Sequence, residues 1–86
     1  HGHDHVRTAN NLVMLGRVLV RRKKNDEAAL VLARALAGRE RAYGPVHPGV
    51  ASVLNELGTL ARNTGRLEDA EAAYARMADI YRSVHG

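Results

Sequence analysis

The 86-residue chain has no cysteine, no tryptophan and no phenylalanine, only two prolines, and no apolar run longer than a few residues. Without cysteine there is no disulfide frame, no thiol nucleophile and no thiolate metal site; a reducing cytoplasm is compatible with that count, which by itself leaves the compartment open, and a cytoplasmic setting is the expectation carried forward. Without an apolar stretch near the roughly 20 residues that cross a bilayer, no membrane span is expected. Three tyrosines are the only aromatics, so the core must be aliphatic and its elements closely packed. Proline occurs only at Pro45 and Pro48, alanine is the commonest residue and β-branched alternation is missing. Helix is therefore expected almost throughout, with the two prolines marking a joint between helices.

The signatures of catalysis are missing too. There is no Gly-x-x-x-x-Gly-Lys loop, no Gly-x-Ser-x-Gly elbow and no His-Glu-x-x-His pair, and Ser52 and Ser83 have no spaced base partner. Glu68, Asp69 and Glu71 fall in the first turn of an expected helix, where the helix dipole accounts for them. No enzyme activity and no cofactor are expected. His1, His3 and His5 with Asp4 alternate at the chain start without a rigid frame, so they are read as loop or helix-start structure and not as a metal site. The run Arg21-Arg22-Lys23-Lys24 has no aromatic neighbour on which a base could stack, so it is read as a solvated helix end and not as a nucleic-acid site. Membrane-surface binding is not expected either.

The charge is unevenly spread. Residues 1–43 hold nine basic and four acidic side chains, and residues 44–86 hold four and five, so the net +4 lies in the first half. The halves are nevertheless alike. An offset of 42 residues sets His5 on His47, Ala9 on Ala51, Leu12 on Leu54, Leu15 on Leu57 and Gly16 on Gly58. It continues with Ala28 on Ala70, Arg34 on Arg76 and Gly44 on Gly86, and His1-Gly2 returns as His85-Gly86. This is an internal repeat, and it reads as a piece of a longer array. In the second copy Pro48 suits a first helical turn, and Val50, Val53, Leu54, Leu57, Leu60 and Ala61 follow at helical spacing before Gly65. Helices are expected at about 6–22 and 26–42 in the first copy (1–43), and about 48–63 and 67–84 in the second (44–86). Tyr74, Met77 and Tyr81, with Leu30, Val31 and Leu36, are expected in the core.

Placing Gly16 and Gly58 at the eighth position of a helix-turn-helix unit puts Leu15 and Leu57 seventh, Ala28 and Ala70 twentieth, and Leu32 and Tyr74 twenty-fourth. That pattern resembles the tetratricopeptide repeat. The 42-residue period and the segment from Gly44 to Asn55, with His47-Pro48 and Val50-Ala51, are similar to the kinesin light chain type of that repeat. In the first copy Lys23 stands where the turn glycine would be, Asn25 replaces an apolar residue and Val6 replaces the proline. The resemblance implies an all-α fold of two antiparallel helix hairpins stacked as an α-solenoid, a right-handed superhelix of four helices. It also implies a concave groove lined by the first helices, which binds a peptide or protein segment. Its contact residues would be Asn10, Val13, Arg17, Arg21, Ser52, Asn55, Thr59 and Arg62. Asparagine amides and arginine guanidinium groups suit an extended, partly acidic segment. The other class of reading is structural. Two repeats are fewer than the roughly three that normally fold alone, so the units would pack on parent domains or on a second copy, and a homo-oligomer is expected.

Overall fold

Helix periodicity and turn chemistry give four helices: α1 (Gly2–Arg21), α2 (Asn25–Tyr43), α3 (Pro48–Asn63) and α4 (Leu67–His85). They come from a computed structural model that describes the backbone of residues 2–85 and the side chains of residues 12–84. No strand occurs among the described residues. The helices form two hairpins, α1 on α2 and α3 on α4, and the hairpins meet where α3 lies against both α2 and α1.

The two hairpin turns share one backbone solution. The last turn of α1 closes with Lys24 N–H donating to the Leu19 carbonyl at 2.9 Å and Lys23 N–H to the Val20 carbonyl at 3.1 Å. Forty-two residues on, Arg66 N–H reaches Ala61 at 2.8 Å and Gly65 N–H reaches Arg62 at 3.2 Å. This paired bonding satisfies carbonyls that a helix end leaves open, and it requires a left-handed residue just beyond the helix. Gly65 takes that role at φ 79° without strain, whereas Lys23 takes it at φ 61° against the clash of its own Cβ. The first copy therefore keeps the turn but holds it under strain. Asp26 and Glu27 in α2, and Glu68 and Asp69 in α4, then stand at the positive ends of the next helices.

Each hairpin closes over a glycine. A Cβ on Gly16 would lie 2.4 Å from Leu32 Cδ2, and one on Gly58 would lie 2.6 Å from Tyr74 Cε1. The missing side chain lets a large residue of the second helix lie on the backbone of the first, and the pairing recurs at the repeat offset. Ala28, Leu32 and Ala35 are wholly buried in α2, and they join Val13, Leu19, Val20, Val53 and Leu60 in one cluster. Val50, Ala51, Leu54 and Ile80 make the second cluster. Leu36 touches both, so the apolar core runs unbroken through the joint between hairpins. Burying a residue such as Leu32 contributes on the order of 2 kcal/mol.

Two core expectations fail for a geometric reason. Leu30 is exposed, because two residues turn a helix by about 200° and Ala28 already faces inward. Tyr81 is also exposed, while Tyr74 and Met77 of the same stripe are half-buried. Ile80, one residue earlier, takes the inward place.

Candidate functional site

The joint between the hairpins is polar at its margins and specific in its pairing. At the α2–α3 corner, His47 is the N-cap of α3 and its Nδ1 accepts from Gly49 N–H at 2.9 Å, with Pro48 in the first turn. The Tyr43 ring stacks on the His47 imidazole, centroids 4.4 Å apart. Arg39 donates to the Gly49 carbonyl at 2.6 Å and to Ser52 Oγ at 2.8 Å. Burial lowers the Arg39 guanidinium below its ordinary pKa, against the opposing effect of Tyr43, and the Arg17 charge lowers it further. Among the described residues two ion pairs bridge the hairpins: Arg17 Nε to Glu56 Oε1 at 3.0 Å, and Arg76 to Glu40 at 2.6 Å.

These contacts redistribute the residues expected on the inner face. Val13 is not a groove residue: it is 4% exposed and belongs to the core cluster. The reason is phase. Positions 13, 17 and 20 share one side of α1, and α3 packs on that side, which buries Val13 and Val20 and draws Arg17 into its pair with Glu56. Ser52 is half-buried, accepting from Arg39 and donating to the Gly49 carbonyl, so it serves the joint. Asn10 lies outside the described side chains, as do His1, His3, His5 and Asp4, and Gly86 lies outside the described residues. Among the described residues no group of metal-binding side chains gathers. No helix among them is long and apolar enough to cross a membrane.

Arg21, Asn55 and Arg62 are exposed, and Thr59 is half-exposed with its hydroxyl 3.2 Å from the Tyr74 hydroxyl. Arg21 and Thr59 come together in an open cleft of about 500 Å³, which Val20, Lys23, Asn25 and Asn63 complete. The strained turn of the first hairpin forms one wall and the last two turns of α3 form the other. Its rim carries two cations and three amide or hydroxyl groups, with no carboxylate among the lining residues. Such a surface can pair with carboxylates and hydrogen-bond an extended backbone. Sequence reasoning missed Lys23, Asn25 and Asn63, because it treated turn residues as punctuation between helices. It missed Glu56 as well, although Val53, Leu57 and Leu60 flank that position at helical spacing and so mark a carboxylate on the buried side.

Comparison with known proteins agrees with the repeat geometry. A family model described as tetratricopeptide repeat matches residues 31–83, and a second with the same description matches residues 7–49. No curated protein matches the chain.

Proposed function

Since the chain belongs to the tetratricopeptide repeat family, whose repeats are generally protein–protein interaction modules and typically not enzymes, we propose that it holds an extended, acidic protein segment in its concave groove. The observation that carries this reading is the cleft between the first turn and α3, where Arg21 and Lys23 face Asn25, Thr59 and Asn63 without an acidic neighbour in the lining. Arg62 and Asn55 extend the same polar surface along α3. Arginine forks onto carboxylates, and the amides bond the peptide backbone between them. Arg17 is not a primary contact, because its Nε already bonds Glu56. The 42-residue period and the Gly44–Asn55 segment support the kinesin light chain type within the family. The absence of cysteine accords with a cytoplasmic setting.

The test is a selection from a displayed library of random 12-residue peptides, run on the wild-type chain and on Arg21→Ala/Lys23→Ala in parallel. The expected outcome is enrichment of peptides rich in Asp and Glu on the wild type alone, with affinity that falls steeply as salt is raised. Enrichment of the same peptides on both proteins, or of none, would overturn the assignment.

A further inference from the structure

The Tyr74 side chain does more than close its hairpin. Its ring lies on the Gly58 backbone, and its hydroxyl stands 3.2 Å from Thr59 Oγ1. Thr59 in turn donates to the Asn55 carbonyl at 3.0 Å. Packing alone does not call for these groups. In the first copy the same positions, 42 residues earlier, hold Leu32, Arg17 and Val13, and Leu32 closes over Gly16 wholly buried and with no polar side-chain atom. The second hairpin therefore carries a hydroxyl pair that hairpin closure does not require, and it sets that pair at the wall of the cation-rich cleft, which Thr59 lines.

Counting protons fixes what the pair can offer. Each hydroxyl has one proton and two lone pairs. With the Thr59 proton on the Asn55 carbonyl, the Tyr74 proton falls to Thr59 Oγ1 and two bonds form; with the Thr59 proton on Tyr74, only one forms. The two-bond arrangement prevails, because a bond forgone at a half-buried site is costly. Both protons are then spent inside the protein, and Thr59 Oγ1 keeps one lone pair for a donor in the cleft. Among the polar side chains that line it, Arg21 and Lys23 only donate and Asn25 and Asn63 do both, so Thr59 is the one that only accepts. A ligand that satisfies both walls shows acceptors to the cations and a donor to Thr59.

We propose that this polarity selects the bound segment: the cleft takes a peptide that turns a carboxylate to Arg21 and Lys23 and a backbone N–H to Thr59 Oγ1, and it discriminates against phosphate chains, which carry acceptors only. The inference rests on the proposed binding of an acidic segment, and it adds a requirement for a free backbone amide, which proline cannot supply. An acceptor placed opposite Thr59 would either displace the Asn55 bond or face a lone pair with no proton between the two oxygens.

The probes are the tightest-binding peptide from the library selection, made in versions with one backbone nitrogen methylated at a time, and inorganic tripolyphosphate. Isothermal titration calorimetry at fixed salt measures both on the full wild-type chain, on Thr59→Val and on Thr59→Val/Tyr74→Phe. At one position, methylation should cost the wild type about five-fold more affinity than it costs Thr59→Val, the worth of one hydrogen bond. Thr59→Val also frees the Tyr74 proton, so it should bind tripolyphosphate about three-fold more tightly than wild type, and the double variant should lose that gain. Thermal melts check that the variants are folded, and Thr59→Ala takes the place of Thr59→Val if the latter is not. A methylation profile that Thr59→Val leaves unchanged would overturn the proposal, as would a tripolyphosphate affinity that does not rise in Thr59→Val. A peptide bound equally well by Arg21→Ala/Lys23→Ala would overturn something else, the placement of the segment in the cleft on which the proposal rests.

Discussion

The ion pair between Arg17 and Glu56 gives an asymmetric prediction. Glu56 keeps only 12% of its side chain exposed and Arg17 keeps 41%, so the two partners stand to lose different amounts when the other is removed. Arg17→Met leaves a nearly buried carboxylate without its cation. Fully buried pairs broken in this way cost about 3–5 kcal/mol and exposed pairs about 0–1, which places this half-screened pair near 2 kcal/mol. For a domain of this size that lowers Tm by roughly 10 °C. Glu56→Met leaves an arginine that can swing into water and fills the space with an apolar side chain, so it should cost less than about 1 kcal/mol. The double variant, Arg17→Met/Glu56→Met, should return to within about 1 kcal/mol of wild type, because an apolar pair replaces a desolvated ionic one. Urea unfolding followed by circular dichroism at 222 nm measures all four proteins. Equal losses in the two single variants, or a double variant as unstable as Arg17→Met, would refute the burial argument.

Other outcomes follow from the local geometry. Gly58→Ala sets a Cβ 2.6 Å from the Tyr74 ring; overpacking of about 1–3 kcal/mol should outweigh the roughly 1 kcal/mol that alanine gains in helix propensity, so thermal melts should show a loss where a free helix would show a gain. Lys23→Gly relieves a left-handed lysine and should stabilise the chain by roughly 0.5–1 kcal/mol in the same melts, while weakening acidic-peptide binding in the adjacent cleft. His47→Ala removes both the cap on Gly49 and the stack on Tyr43; a loss of about 1–2 kcal/mol in urea unfolding is expected, with faster amide exchange in the first turn of α3.

Gly16 and Gly58 recur at the repeat offset, and a helix lets a large side chain of its partner lie on its backbone where it carries no Cβ of its own, so the hairpin architecture was legible in the sequence. The apolar spacing of Val50, Val53, Leu54 and Leu57 likewise placed the core face of α3. The side of α1 that α3 would cover was not legible. Helical periodicity identifies a stripe but not which neighbour claims each edge of it, and so Val13 and Arg17 were placed in the groove when they belong to the joint. Leu30 and Tyr81 were misplaced for a related reason: apolar character was counted where the angle around the helix decides. The cation-rich cleft lay beyond sequence reasoning because its walls, the first turn and the end of α3, are brought together only by the stacking of the hairpins.

The most direct test is to map a bound acidic peptide onto the chain by amide chemical-shift changes, using the tightest binder from the library selection. The account predicts that the largest changes fall on Arg21, Lys23, Asn25, Thr59 and Asn63, and that they vanish in Arg21→Ala/Lys23→Ala. Changes centred instead on Arg34, Arg66 or Arg82, with the cleft undisturbed, would contradict it.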